Sequence, residues 1–298
     1  MGHCQIHIMD LSKLKNRPSY PFETIGVAVA FSPRLEAMLQ EAKHYSDAFK
    51  SQIVLMHVGE KDPRKEEMLD VLITNIGFPK TRTRVIWMEG DPTDTILSLC
   101  KLNVVDLLIL GALEKENLYK YYVGSVARNI SRRAKCSVLL ITHPQLQVKR
   151  FKKIVINGVD NPKTLHTLRT AAYFARCEKL KDLTLVQEID MPTFAMTMAD
   201  TNNSEANKIK REMLEEESAK LMQMVEQVKS EEMEIVVKTV SGKPGYAIAN
   251  FARTKGYDLL VLNSPDTHLG LFDRIFTHDI EYILADLPCN LLIVHSRV

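Results

Sequence analysis

The chain has 298 residues, of which 45% are hydrophobic and 26% charged, and its formal net charge is +2 at pH 7. These values are typical of one large or two ordinary globular domains, and the balanced charge argues against a dedicated nucleic-acid-binding protein. No apolar run approaches the roughly 20 residues that cross a bilayer. The five cysteines form no Cys-x-x-Cys pair. With no signal or transit peptide in view, we expect a cytoplasmic protein with free thiols and no metal site.

Short apolar runs alternate with amphipathic segments along the first half of the chain. Residues 1–20 show weak periodicity and are expected to form an N-terminal tail. The expected strands are 24–30, 52–58, 84–88, 107–111 and 137–141. The expected helices begin at Ser32-Pro33, Arg64, Asp91-Pro92 and about Val126. Such alternation predicts a parallel sheet with helices on both faces.

The same succession of elements starts again after Pro144, and Asn161-Pro162 is expected to open a helix there as Ser32-Pro33 does in the first half. Gly90 and Asp106 have counterparts in Gly242 and Asp258, and both pairs lie 152 positions apart. A shared offset over several elements indicates a tandem duplication. We therefore predict an α/β fold with two tandem, open, doubly wound parallel-sheet domains, spanning residues 21–147 and 148–298.

The second copy carries one large insertion, at about residues 191–233. Its charged part has the periodicity of a long amphipathic helix with methionines along the apolar stripe. Such a helix either covers the sheet as an ordinary layer or offers an adaptable surface to a partner.

One stretch of the first half has the pattern of an anion-binding loop. The strand 107–111 ends at Gly111, a polar loop follows, and Gly124-Ser125 then opens a helix. The free N–H groups and the positive dipole end of a helix N-terminus attract anions. The pattern predicts a phosphate site at Gly111, Gly124, Ser125 and Val126.

From Phe22 to Ile293 the chain resembles the universal stress protein family, in its tandem two-domain form. The nucleotide-binding branch of that family has the phosphate loop G-x2-G-x9-G-[ST]. Here the same spacing gives Gly111, Glu114 and Gly124-Ser125, so three of four signature positions match. The end of the second strand, at Val58, also matches the family.

The resemblance implies an adenine nucleotide alpha hydrolase-like fold that binds ATP or AMP in the first half. The implied contact residues are Gly111, Gly124, Ser125, Val126 and Val58.

Two departures weaken this implied site. Ala30-Phe31 stands where ATP-binding members carry an aspartate, and Glu114 replaces the second glycine. A carboxylate about 4 Å from a phosphate costs about 4 kcal/mol at an effective dielectric of about 20. Lys115, Lys120 and Arg128 offset part of that repulsion. The alternatives are weak binding of ATP or AMP, binding of another small anion, and no binding.

The second copy departs further from the signature. Asn263, Asp266, Phe276 and Thr277 occupy the four signature positions, and Phe276 fills space that a phosphate needs. Asp160 lies at or next to the position of the family's aspartate, which implies a contact with a ribose. Without a phosphate loop beside it, Asp160 is expected instead to cap the turn before Pro162. The second half is therefore predicted to be a structural partner of the first.

Three functions remain open at this point. The first is a stress-response or signalling module that senses a nucleotide or small anion. The second is a slow ATPase or nucleotidyl-transferring enzyme, for which Glu114 is the one acid in position to act. The third is a scaffold without a ligand, which Glu114 and Ala30 favour.

The last strand of each half, 138–141 and 291–294, is very apolar for a sheet edge. An exposed edge of that kind invites pairing with another strand. We expect the two halves to pair with each other as an intramolecular pseudo-dimer, and a homodimer through the methionine-rich insertion is compatible with the pattern.

Overall fold

The computed structural model describes residues 19–115, 120–190, 205–230, 233–265 and 274–296. Within these ranges the strands are β1 (Thr24–Ala28), β2 (Gln52–Val58), β3 (Thr83–Met88), β4 (Leu107–Gly111), β5 (Leu113–Lys115), β6 (Lys120–Tyr122), β7 (Ser137–Ile141), β8 (Ile154–Gly158), β9 (Asp182–Ile189), β10 (Glu234–Ser241), β11 (Leu259–Asn263) and β12 (Asn290–Val294).

The α-helices of the same ranges are α1 (Leu35–Phe49), α2 (Pro63–Ile76), α3 (Pro92–Leu102), α4 (Ser125–Arg133), α5 (Thr164–Cys177), α6 (Glu205–Glu226), α7 (Tyr246–Thr254) and α8 (Arg274–Ala285). No described helix is both long and apolar enough to cross a membrane. Strands and helices alternate as the sequence predicts.

Ten strands form one continuous sheet in the order β10-β9-β8-β11-β12-β7-β4-β1-β2-β3. Pairing is parallel within each half, and β7 meets β12 antiparallel, with Leu139 opposite Leu292. The strands that end the two halves therefore cover each other's edges, which removes two apolar edges from solvent.

The register of pairing repeats between the halves. Ile25 of β1 pairs with Leu107 of β4, as Ile154 of β8 pairs with Leu259 of β11. Asp106 and Asp258 precede these second strands, and each carboxylate holds the start of the neighbouring strand. Asp106 accepts a hydrogen bond from the N–H of Thr24 at 2.9 Å, and Asp258 accepts from the N–H groups of residues 152 and 153 at 2.7 and 2.9 Å.

Helices cover both faces of the sheet, as predicted. Side chains of α1, α2, α5 and α6 pack on one face, and side chains of α3, α4, α7 and α8 pack on the other. The central strands are consequently buried on both sides, which explains why their sequences are continuous apolar runs rather than alternating patterns.

Two predicted helix starts are wrong. The helix α1 begins at Leu35 rather than at Ser32-Pro33, and α5 begins at Thr164 rather than at Asn161-Pro162. In both places a turn comes first: the N–H of Leu35 donates to Ser32 O at 3.0 Å, and that of Thr164 donates to Asn161 O at 2.9 Å. The N-cap is therefore a basic residue, Arg34 or Lys163.

Two further segments differ from expectation. The polar loop predicted after β4 contains a two-stranded antiparallel hairpin, β5–β6. The last residues of the expected tail pack against α5 of the second half: Ser19 is buried and bonds Thr170, and the Tyr20 ring stacks on Tyr173 with centroids 5.4 Å apart. The predicted helix in the insertion is present as α6, which buries residues 221 and 225.

Candidate functional site

The candidate site lies at the carboxyl ends of β4 and β1, where the strand order of the first half reverses. Open parallel sheets bind ligands at such a switch point. Gly111 ends β4 and Val58 ends β2, on either side of β1. Since neighbouring strands are about 4.8 Å apart, these two predicted contact residues lie about 10 Å apart along one edge.

The helix α4 begins beside this edge with no side-chain cap. Gly124 is its N-cap residue, Ser125 its first helical residue, and its first turn contains no acid. Val126, in the same turn, is 38% exposed. The first N–H groups of α4 are therefore not occupied by a side-chain cap, whereas in α3 the Asp91 carboxylate accepts from the N–H of Asp94 at 2.9 Å.

Of the two loop glycines, Gly124 has the closer neighbour, the exposed end of the Leu113 side chain. A Cβ atom at Gly124 would lie 2.8 Å from Cδ1 of Leu113. A Cβ atom at Gly111 would make only an ordinary contact, 3.5 Å from Sδ of Met38. The Leu113 side chain, which is 49% exposed, thus rests against the start of α4.

Arg34 fastens the strand ends around the site. Its guanidinium donates from Nη1 to Ala112 O and from Nη2 to Thr142 O, both at 2.8 Å, and so joins the ends of β4 and β7. In the second half Lys163 Nζ donates to Ser264 O at 3.2 Å. No sequence motif singles out either residue, although a basic residue follows the proline in each copy.

An aromatic cluster lies at the carboxyl ends of β1, β2 and β3, next to Val58. Phe31 packs against His57 and Trp87 with ring centroids 4.8 and 5.6 Å apart, and His57 lies 4.7 Å from Trp87. His57 Nδ1 donates to Val29 O at 2.9 Å, and Lys65 Nζ lies 5.6 Å from the Phe31 centroid. This end of the site is aromatic, where the family resemblance implied a carboxylate at the exposed Ala30.

At the corresponding edge of the second half, α8 begins at a different position relative to the signature residues than α4 does in the first half. The helix α8 begins at Arg274, so Phe276 and Thr277, the counterparts of Gly124 and Ser125, lie within its first turn. Asn263, the counterpart of Gly111, donates from Nδ2 to Thr164 Oγ1 at 3.0 Å.

The expected cap at Asp160 is wrong. Asn161 instead accepts at Oδ1 from the N–H of Lys163 at 2.9 Å, the bond to the backbone two residues ahead that is typical of an Asx-turn. The Asp160 carboxylate accepts from Lys220 Nζ of α6 at 3.1 Å.

A carboxylate occupies another helix N-terminus in the second half. Glu188 of β9 accepts from the N–H of Gly245 at 3.0 Å and from the N–H of Ile248 at 2.8 Å, at the start of α7. It stands 130 positions after Val58, in the equivalent strand. The second half thus neutralises this helix end with its own side chain.

The start of α4 is also attached to the second half. The N–H of Val123 donates to Leu284 O of α8 at 3.0 Å. Glu281 of α8 pairs with Arg128 at 3.4 Å and with Arg132 at 2.6 Å. Arg128, which was expected to offset charge in the loop, is therefore engaged with α8.

Some predicted site features fall outside the described residues. Asp266 lies in an undescribed range. The structure likewise gives no side-chain description for Glu114, Lys115 and Lys120 of the hairpin or for Phe276, Thr277 and Asp279 of α8. The predicted effect of Glu114 on a phosphate stays a prediction.

A comparison with known protein families agrees with this fold. The family model described as Universal stress protein family matches residues 65–142 and 151–295. These segments cover well over half of the chain. The chain belongs to the universal stress protein family.

Three similar proteins define how close this relationship is. Universal stress protein MJ0577 of Methanocaldococcus jannaschii is 22% identical over 136 residues, which are 46% of this chain and 74% of that protein. The functionally unknown protein PA1789 of Pseudomonas aeruginosa has a TM-score of 0.66 at 15% identity, covering 97% of this chain and 95% of the other. A universal stress protein from Archaeoglobus fulgidus has a TM-score of 0.64 at 14% identity, covering 94% and 100%. At these identities the structures show a common fold.

Proposed function

We propose that the protein is a cytoplasmic stress-signalling module that binds a small anion, ATP or AMP weakly, at the start of α4. The observation that carries this proposal is the helix N-terminus at Gly124-Ser125, which has no side-chain cap or acid in its first turn and lies at the switch point of the sheet. Such N-termini bind phosphate groups through their N–H groups and dipole. Gly111, Val126 and Val58 complete the proposed contact set.

In this proposal the second half is a structural partner, and the two halves act as an intramolecular pseudo-dimer. The antiparallel pairing of β7 with β12 supports it, as does the bond from Val123 to Leu284, which connects the proposed site to α8. A ligand at α4 would therefore act on a helix that the second half already holds. Light scattering on the purified chain measures whether such pseudo-dimers associate further into a homodimer.

The experiment replaces Val126 with glutamate. A carboxylate in the first turn of α4 complements the helix dipole and repels an anion. In the wild type, inorganic phosphate, AMP or ATP should raise the melting temperature, and ligand at about 100 times Kd corresponds to about 2.7 kcal/mol. Val126→Glu should abolish this rise while leaving the free protein equally or slightly more stable.

Val71→Glu is the matched control, because Val71 is an exposed valine of α2 and the charge change is the same. It should respond to ligand like the wild type. An equal response of both variants would mean that the ligand binds elsewhere, and no response of the wild type would remove the proposal.

The second candidate function is an interaction scaffold without a ligand. The contact between Leu113 and Gly124 favours it, because an apolar side chain rests where a phosphate would approach α4. The variant Leu113→Ala distinguishes the anion-binding function from the scaffold function. It should increase the ligand-induced rise in melting temperature if the site binds an anion, and it should leave a scaffold unresponsive.

A further inference from the structure

Within the described residues the ten-stranded sheet has β3 of the first half at one edge and β10 of the second half at the other. The two strands are equivalent in the duplicated fold, and their residues correspond at the offset of 152. An edge strand presents a row of unpaired backbone N–H and C=O groups, which can pair with a strand of another chain. The side chains of the two edges therefore decide which of them can associate.

The pairing of β3 with β2 fixes which backbone groups of β3 face outward. The C=O of Met88 accepts from the N–H of Gly59 at 3.0 Å, so the backbone groups of Met88 face β2. Because successive residues of a strand direct these groups to opposite sides, Ile86 also faces β2, whereas Val85 and Trp87 face away from it. In the part of the chain that the structure describes, no strand lies on that outer side.

The middle of β3 is complementary to a second copy of itself. A two-fold axis through Ile86 places Val85 opposite the second copy's Trp87, so that each N–H donates to the other residue's C=O. A β-branched residue opposite an aromatic one is a favourable cross-strand pair. The same axis places Ile86 opposite itself and Arg84 opposite Met88. Within β3, this register brings no like charges opposite each other.

The equivalent register is unfavourable at β10. Lys238 is exposed and is the counterpart of Ile86, so the same axis would bring two lysines face to face. Its ammonium lies 5.9 Å from the centroid of the Phe251 ring, which keeps the charge on the face of the sheet. Like charges directly opposite each other destabilise a strand pair, and lysine commonly protects edge strands. Residues 85–88 of β3 contain no charge, glycine or proline.

The junction inside the chain is a contact of the same kind. The strands β7 and β12 end the two halves, are apolar and pair antiparallel, with Leu139 opposite Leu292. Each leucine is the third residue of its strand, so this pairing is close to two-fold symmetric. Pairing between equivalent apolar edge strands is therefore already used once in this fold.

We propose that two copies of this chain form a dimer through β3, whose edges pair antiparallel about Ile86 and join the two sheets into one. A second copy fits this edge because the best partner is an apolar strand with an aromatic residue opposite Val85 and a branched one opposite Trp87. The strand β3 is itself such a partner. The contact is separate from the anion proposed at α4, because β1 and β2 lie between β4 and β3.

The test measures the molar mass of the full-length chain by light scattering over a range of concentrations. The wild type should rise from 33.9 kDa toward twice that mass. Val85→Pro removes an outward N–H, while the inward bonds of Arg84 and Ile86 remain, and edge strands tolerate such a proline. Because the symmetry removes a hydrogen bond on each side of the axis, the dissociation constant should rise about tenfold or more.

Val237→Pro is the matched control, because Val237 of β10 is the counterpart of Val85. The N–H of Glu234 donates to Lys181 O at 2.8 Å, so Val237 faces away from β9 as Val85 faces away from β2. Both prolines should affect the stability of the single chain similarly, and Val237→Pro should dimerise like the wild type. Ile86→Lys, which introduces the residue found in the second half, should also have the mass of one chain.

Amide hydrogen exchange locates the contact independently of mass. At concentrations where the wild type is dimeric, the N–H groups of Val85 and Trp87 should exchange several-fold more slowly than in dilute solution, and that of Val237 should not change. A wild type with the mass of one chain at about 1 mM would overturn the proposal, since even a millimolar association is populated there. A dimer that persists unchanged in Val85→Pro, or that is lost equally in Val237→Pro, would also overturn it.

Discussion

The two halves share one backbone plan and differ in how they treat their helix N-termini. In the first half, α4 starts at Gly124 without a side-chain cap, and Val58 is the residue at the end of β2. In the second half, Glu188 stands in the position of Val58 and fills the N-terminus of α7, while α8 starts three residues before the counterpart of Ser125. The two halves therefore keep the same strand register while the residues at their strand ends differ.

The junction is where the halves should be most alike, and the largest effect is expected there. Leu139 and Leu292 face each other across β7 and β12, and both are fully buried. Each leucine-to-alanine change should lower the free energy of unfolding by about 2–5 kcal/mol, because it removes buried contacts and leaves a cavity.

Urea denaturation measures both changes, with the exposed Leu102→Ala as a control within about 0.5 kcal/mol of wild type. The two losses should agree within about 1 kcal/mol if the halves are equivalent at the junction. A loss of unfolding free energy at only one of the two positions would mean that the halves do not contribute equally to the junction.

The carboxylates that cap helices in the two halves should contribute less to stability than the junction leucines, and they should contribute unequally. Glu188→Ala removes the acceptor of the N–H groups of Gly245 and Ile248 and should cost about 1–3 kcal/mol. Asp91→Ala, at the start of α3, removes one exposed cap and should cost about 1 kcal/mol.

Chemical denaturation measures the loss of unfolding free energy in both variants. Glu212→Ala, at an exposed position of α6, is the neutral control. An equal or smaller loss at Glu188 would mean that its carboxylate adds nothing to the start of α7 beyond an ordinary cap.

The last prediction concerns the two basic residues at the strand ends, and it includes the smallest single effect, at Lys163. Arg34→Met removes two hydrogen bonds to buried carbonyl groups and should cost about 1–2 kcal/mol. Lys163→Met removes one bond to Ser264 O and should cost about 0.5–1 kcal/mol. Thermal unfolding checks the order, and Arg34→Lys should recover part of the loss; full recovery would show that the forked geometry of arginine is not used.

Much of the fold was predictable because its signals are local. The apolar runs predicted the five strands that the first half contributes to the ten-stranded sheet within two residues at either end, since strands buried on both faces leave a continuous hydrophobic pattern. The hairpin β5–β6 was not predicted. The caps at Asp91 and the glycine at 77 follow from residue types alone. The starts of α1 and α5 were misjudged, because Ser-Pro and Asn-Pro are as compatible with a turn as with a helix cap.

The position of the candidate site was predictable, but several of the side chains that surround it were not. The glycine-serine start of α4 is visible in the sequence, and its spacing carried the family resemblance. The aromatic cluster of Phe31, His57 and Trp87 was not visible, because its members come from the ends of three separate strands. The same holds for Arg34, whose carbonyl partners lie 78 and 108 residues away.

The class of fold, the duplication and the loop that opens α4 can be read from the sequence alone. Each of these depends on residues close together in the chain or on a constant offset between copies. Three other features become visible only in the folded chain: one sheet runs through both halves, Glu188 caps α7, and Glu41 and Glu178 accept hydrogen bonds from Gln145 and Phe151, between the two halves. Those features depend on hydrogen bonds and burial between residues far apart in sequence, which no local pattern specifies.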